Sequence, residues 1–121
     1  MVLLSYARED RGEADATRAR LADAEYTVWQ DTADVKVGQI WLQEVEEAID
    51  QCVAFVPLIS NAYKSSRPVQ REFLAAEEKG KRIVPLFIED CTLPLWIRGY
   101  QYIDCTSGIE SCVDDLMREL P

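Results

Sequence analysis

The sequence predicts an α/β protein built on a parallel sheet with helices on both faces, and three observations predict it. Short apolar runs rich in β-branched and aromatic residues alternate with helical patterns along the whole 121-residue chain. Two of the runs, "VAFVPLI" and "IVPLFI", have almost no polar alternation, as strands covered on both sides require. No internal repeat, low-complexity stretch or linker interrupts the alternation. Residues 1–121 therefore read as one domain, long enough for a real core and too short for two.

The elements follow in order. "VLLSY" at 2–6 is the first strand, and a helical pattern occupies 11–24. A second strand at 26–30 leads through a loop to a helix at 40–51, and the third strand spans 53–59. A helix at 68–79 ends at Gly80, a C-terminal cap, with Lys79 and Lys81 beside its negative end. The fourth strand spans 83–88. "EDCTLPLWIRGYQ" is less regular, with a short helical turn around 95–97, before a brief strand at 102–103 and a last helix at 109–120. Pro57 and Pro85 are unwelcome inside central strands, but such continuous apolar runs are otherwise hard to place.

Composition narrows the chemistry. With 48% hydrophobic and 29% charged residues the chain is globular, and no apolar run approaches the roughly 20 residues that span a bilayer. A formal net charge of −9 opposes binding to nucleic acid or to an anionic membrane. Cys52, Cys91, Cys105 and Cys112 form no C-x-x-C pair, and there is no histidine to complete a common zinc set, so no metal site is expected. The four read as reduced thiols of a cytoplasmic protein. Without histidine, the Ser-His and Cys-His nucleophile arrangements are excluded. Chemistry must run on carboxylates, hydroxyls or bound groups.

In an open sheet of this kind, ligands bind beyond the carboxyl ends of the strands. The residues there are Ser5, Tyr6 and Ala7, then Asp31, then Ser60 and Asn61, then Glu89 and Asp90. Glu72, in "SSRPVQREFLAAEEKGK", stands on the same rim. At about 100° per residue Val69, Phe73 and Ala76 share one stripe, and Glu72 lies roughly 60° from its centre. The positions three and four residues away hold Val69, Pro68, Ala75 and Ala76, so no salt bridge along the helix explains it. A phosphoacceptor receiver would need acidic residues where Ser5-Tyr6 and Ser60-Asn61 stand. A flavin or dinucleotide site would need a glycine- or hydroxyl-rich loop, whereas "SYAREDRG" has one late glycine, and no P-loop occurs.

What remains is an ordered series: "LLSYARED", "YTVWQDTADVKVGQIW", "VPLISNAY", "RPVQREF" and "GKRIVPLFIED". From residue 2 to about 104 this series closely resembles the bacterial branch of the TIR (Toll/interleukin-1 receptor/resistance) domain family. The resemblance implies a flavodoxin-like five-stranded parallel sheet. It also implies cleavage of NAD+ at the nicotinamide–ribose bond, releasing ADP-ribose or a cyclic isomer, in antiphage defence or cell-death signalling. NAD+ would be the substrate, with no separate cofactor. Glu72 of "PVQRE" matches the family's catalytic glutamate, and Pro68 stands where the W-x-x-x-E pattern has Trp, so an aromatic wall of the pocket is missing or supplied elsewhere. By the same resemblance Tyr6, Ala7 and Arg8 would line the nucleotide site, and Asp31 would sit beside the loop; Ser5 and Ser60, from their place on the rim, are further substrate-binding candidates. Ile40 or Trp41 would offer an apolar surface after Gly38. The loop at 32–39, including Asp34, Val37 and Gly38, would pack against a neighbouring TIR domain and switch activity on by assembly. The partners implied are NAD+, other TIR domains, and a further sensor or effector domain or protein.

The role of Glu72 can be derived without the family. Breaking the bond to a cationic nicotinamide leaves positive charge on the ribose, which a nearby carboxylate stabilises. The leaving group departs neutral and needs no proton from a general acid. An ionised glutamate near a helix N-terminus, favoured there by the dipole, suits the composition. The plainer readings are a core Trp29, a turn-capping Asp34, a packed Tyr6 and solvated acidic faces at "EVEEAID" and "EEKGK". Three functions stand: an NAD+-consuming enzyme, a non-catalytic TIR adaptor, and a small-ligand binding module on the same rim.

Overall fold

The computed structural model describes the backbone of residues 1–30 and 39–121 and the side chains of 1–30 and 43–121. Strand β1 (Val2–Ser5) leads through a 3-10 turn (Arg8–Asp10) into α1 (Arg11–Asp23). Then come β2 (Val28–Gln30), α2 (Gln39–Gln51), β3 (Ala54–Ile59), a short α3 (Asn61–Ser65), α4 (Arg67–Glu78), β4 (Leu86–Phe87), β5 (Ile103–Asp104) and α5 (Ile109–Glu119). The strands form one sheet in the order β2-β1-β3-β4-β5, with each neighbouring pair parallel. This is the flavodoxin-like order, with its switch point between β1 and β3.

Strand alternation divides the core. Val2, Leu4, Ala54, Val56, Leu58 and Leu86 face α1 and α5, where Leu21, Val113 and Leu116 close one cluster. Leu3, Phe55 and Ile59 face the other way, against Ile49 of α2 and Val69, Phe73 and Ala76 of α4. Ser5 continues the odd-numbered side of β1, so its side chain points toward α2 and α4.

The two prolines fit because of where their missing N–H groups would point. Phe55 N–H donates to Arg82 O and Ile88 N–H to Ile59 O, so alternate residues of β3 bond toward β4. Pro57 falls in that set, and the regular ladder is interrupted there: Phe55 bridges Ile83, and paired strand resumes only at Leu58–Leu86. The expected strand at 83–88 is accordingly two residues long. Pro85 accepts from Ile103 N–H, and its own nitrogen faces the stretch before β5 begins.

Helix ends are closed from within the chain. Gly80 (φ +67°) donates to Glu77 O, and Lys81 N–H donates to Ala76 O, which is the Schellman arrangement expected at this glycine. Lys79 pairs with Asp50, and Lys81 Nζ donates to Asp50 O and Cys52 O. The two lysines therefore tie the end of α4 to the end of α2 rather than only facing a dipole. Around 95–97 there is a turn, closed by Ile97 N–H to Pro94 O and Arg98 N–H to Leu95 O.

The cysteine expectation is corrected for two of the four residues. Cys105, just past β5, and Cys112, in the first turn of α5, form a disulfide with a Cα–Cα distance of 5.4 Å. Spacing alone hid the pair because the six intervening residues reverse the chain through Gly108 (φ +120°). Cys52 and Cys91 are free thiols, both with pKa pushed up, chiefly by burial. No helix among the described residues is long and apolar enough to cross a membrane.

Candidate functional site

Glu72 lies in the second turn of α4 and is 5% exposed, buried together with Val69, Phe73 and Ala76. Ser5 meets it from the end of β1: Ser5 Oγ donates to Glu72 Oε1 at 2.9 Å. The hydroxyl is fully buried and also lies 2.9 Å from the Tyr63 phenol. Because the single Ser5 proton goes to the carboxylate, the phenol must donate to Ser5. Burial holds the Tyr63 pKa well above its usual value near 10; the Ser5 hydrogen bond opposes the shift, and the Glu72 charge adds a smaller push upward. Glu72 lies one turn in from the N-terminus of α4, and Ser5 supplies a hydrogen bond to its carboxylate there.

On its outer side Glu72 lines a groove between α2 and α4. Val45, Glu46 and Ile49 face Pro68, Arg71 and Ala75 across a volume of about 340 Å³. That falls within the range of about 300–1,000 Å³ usual for small-molecule sites. Pro68, Arg71, Glu72 and Ala75 stand at i, i+3, i+4 and i+7, one face of α4. Arg71 brings a cation to this largely apolar wall.

The other rim residues divide between the two sides of the sheet. Ser5 and Pro68 come to Glu72. Tyr6 is 5% exposed and packs in the cluster beneath α1 and α5, and Ala7 is buried beside it. Arg8 opens the 3-10 turn and is exposed. Ser60 caps α3, accepting from Tyr63 N–H at 3.1 Å, and donates to Asp10. Desolvation by burial raises the Asp10 pKa, with help from Glu13, Glu89 and Glu9, while the Ser60 hydrogen bond opposes the shift. Glu89 accepts from Asn61 N–H at 2.8 Å and so joins the ends of β3 and β4. Asp31, Asp34, Val37 and Gly38 lie outside the described residues. Ile40 and Trp41 fall in the first turn of α2, with their side chains outside the described set.

Tyr63, Val45, Ile49 and Arg71 were not singled out from the sequence. The i, i+4 pair on α2 and the i+3 neighbour of Pro68 carried a signal for the groove. Tyr63 carried none, because its contact with Ser5 spans 58 residues.

The architecture agrees with known structures. At 19% identity and a TM-score of 0.82, the chain is similar to the TIR domain of the Toll-related receptor TRR-2 from Hydra magnipapillata, covering 98% of this chain and 95% of that one. The TIR domains of the activated Roq1 resistosome, which recognises the effector XopQ, align at 16% identity and TM-score 0.76, over 98% and 97% of the two chains. The Clostridium botulinum CMP N-glycosidase BcmB aligns at 18% identity and TM-score 0.70, over 96% and 98%. Comparison with curated proteins gives no match. Residues 2–120 match the TIR domain family, and with the sheet order and ordered motifs described above the chain belongs to that family.

Proposed function

We propose that this TIR domain cleaves the nicotinamide–ribose bond of NAD+, with Glu72 as the catalytic carboxylate. The observation that carries the reading is the seat of Glu72, a buried carboxylate held by a serine hydroxyl at the edge of a small-molecule groove. In the reaction the C1′–N bond breaks and its electron pair leaves with nicotinamide, which becomes neutral. Positive charge develops on the ribose, and the Glu72 carboxylate offsets it. Water then adds at C1′ and loses a proton to give ADP-ribose, or an internal nucleophile of the substrate closes a cyclic isomer. The similarity to a CMP N-glycosidase supports N-glycosidic chemistry on this fold. Activation by assembly, a bacterial defence or cell-death role and a cytoplasmic setting belong to the same proposal and rest on the family resemblance.

One observation favours a non-catalytic adaptor that signals by homotypic association. Among the described residues lining the groove there is no aromatic ring, and Pro68 stands where the resembled pattern has Trp. The test is NAD+ consumption by wild type and Glu72→Ala, each concentrated on a crowding surface, with nucleotide products separated. Loss of NAD+ with the wild type alone is expected, with at least a hundredfold drop in the variant, the size of a lost transition-state charge contact. Equal inertness of both, with wild-type self-association intact, would leave the adaptor reading in its place.

A further inference from the structure

We propose that Tyr63 and Ser5 form a buried positioning relay that fixes the Glu72 carboxylate from beneath, with the phenol donating to the serine and the serine to the carboxylate. The kinetic consequence rests on the proposed N-glycosidic cleavage; the geometry does not. Both contacts are 2.9 Å. Ser5 and Tyr63 have no exposed surface, so neither hydroxyl is available to a substrate in the groove. A fully buried polar chain must be satisfied internally, and here each member supplies the next.

The relay is anchored at its far end. The Tyr63 ring stacks on Trp96 at 6.1 Å between centroids, and Trp96 meets Phe73 edge-on at 4.9 Å. Phe73 is the residue after Glu72, so one aromatic cluster holds both the phenol and the backbone that carries the carboxylate. Ser60 fixes the Tyr63 backbone by accepting its N–H. Three elements, β1, α3 and α4, thus set one carboxyl orientation without reaching the groove. A rotating carboxylate would spread its charge over several directions, whereas one held at Oε1 presents the same face to C1′ at every turnover.

Tyr63→Phe tests this, because it keeps the ring on Trp96 and removes only the hydroxyl. The expected result is a fall of about tenfold in kcat with KM for NAD+ within about twofold of wild type, as for an interaction felt mainly in the transition state. A second readout needs no turnover. The Glu72 carboxylate stretch, isolated as the infrared difference between a protein and its Glu72→Gln counterpart, is expected to shift when Tyr63→Phe is introduced. An unshifted band overturns the relay whatever the kinetics. A shifted band with wild-type kcat in an active protein overturns the positioning role. If wild type consumes no NAD+, the proposed function fails by itself and the infrared comparison alone decides the relay.

Discussion

Asp10 shows how the rim is charged on the side away from Glu72. Burial holds its proton more tightly in the fold than in the unfolded chain, with Glu13, Glu89 and Glu9 adding repulsion. For an acid raised in this way, stability is lost as pH climbs from the unfolded value of 3.8 through the folded one, and the loss persists above it. Asp10→Asn removes the charge and keeps an oxygen that accepts from Ser60. It should raise the melting temperature at pH 7 by about 2 °C, a few tenths of a kcal/mol in a small domain with a partly solvated group, and leave it unchanged at pH 3. Calorimetry at the two pH values checks the sign; a loss of stability at pH 7 would mean that the ionised Asp10–Ser60 hydrogen bond outweighs desolvation.

At the scale of the element, two helices end in the same way with different residues. Gly80 adopts the left-handed conformation at no steric cost after α4. After α1 the equivalent position is Glu25, at φ +69°, with Glu25 N–H donating to Ala22 O and Tyr26 N–H to Leu21 O. A Cβ is disfavoured there by about 1–2 kcal/mol. Glu25→Gly should therefore stabilise the domain by about 1 kcal/mol, the greater freedom of unfolded glycine taking back part of the gain. Urea melts should show a higher midpoint with an unchanged slope. Sequence reading found the first cap because glycine advertises it, and it ended α1 within a residue of Asp23 without seeing the second. The Cys105–Cys112 bond joins the end of β5 to the first turn of α5 at the opposite edge of the sheet.

For the whole molecule, the formal charge of −9 bears on the proposed self-assembly. Copies of an acidic domain repel one another over a Debye length, which shortens from about 30 Å to about 10 Å as ionic strength rises from about 0.01 M to about 0.1 M. Light scattering across that range should show association at lower protein concentration in the higher salt. The opposite trend would show that the contact surfaces are held by complementary charges.

The strand–helix alternation, both faces of the sheet, the rim and the position of Glu72 were legible in the sequence, because periodicity and burial are local consequences of residue type. Four helices expected at 11–24, 40–51, 68–79 and 109–120 lie within a residue or so of their structural limits. The short α3 was hidden between "LIS" and "RPVQ", and the 3-10 turn at Arg8–Asp10 lay inside a motif read only for chemistry. What only the tertiary structure decided is which groups meet. The parity of β1 turns Ser5 toward α4 and Tyr6 toward α1, and the β3–β4 register accommodates both prolines. Crossovers of 58 and 67 residues bring Tyr63 and Glu72 to one serine hydroxyl. Sequence determines each side chain's periodic face; partners so far apart are chosen by sheet order and packing, which no local pattern encodes.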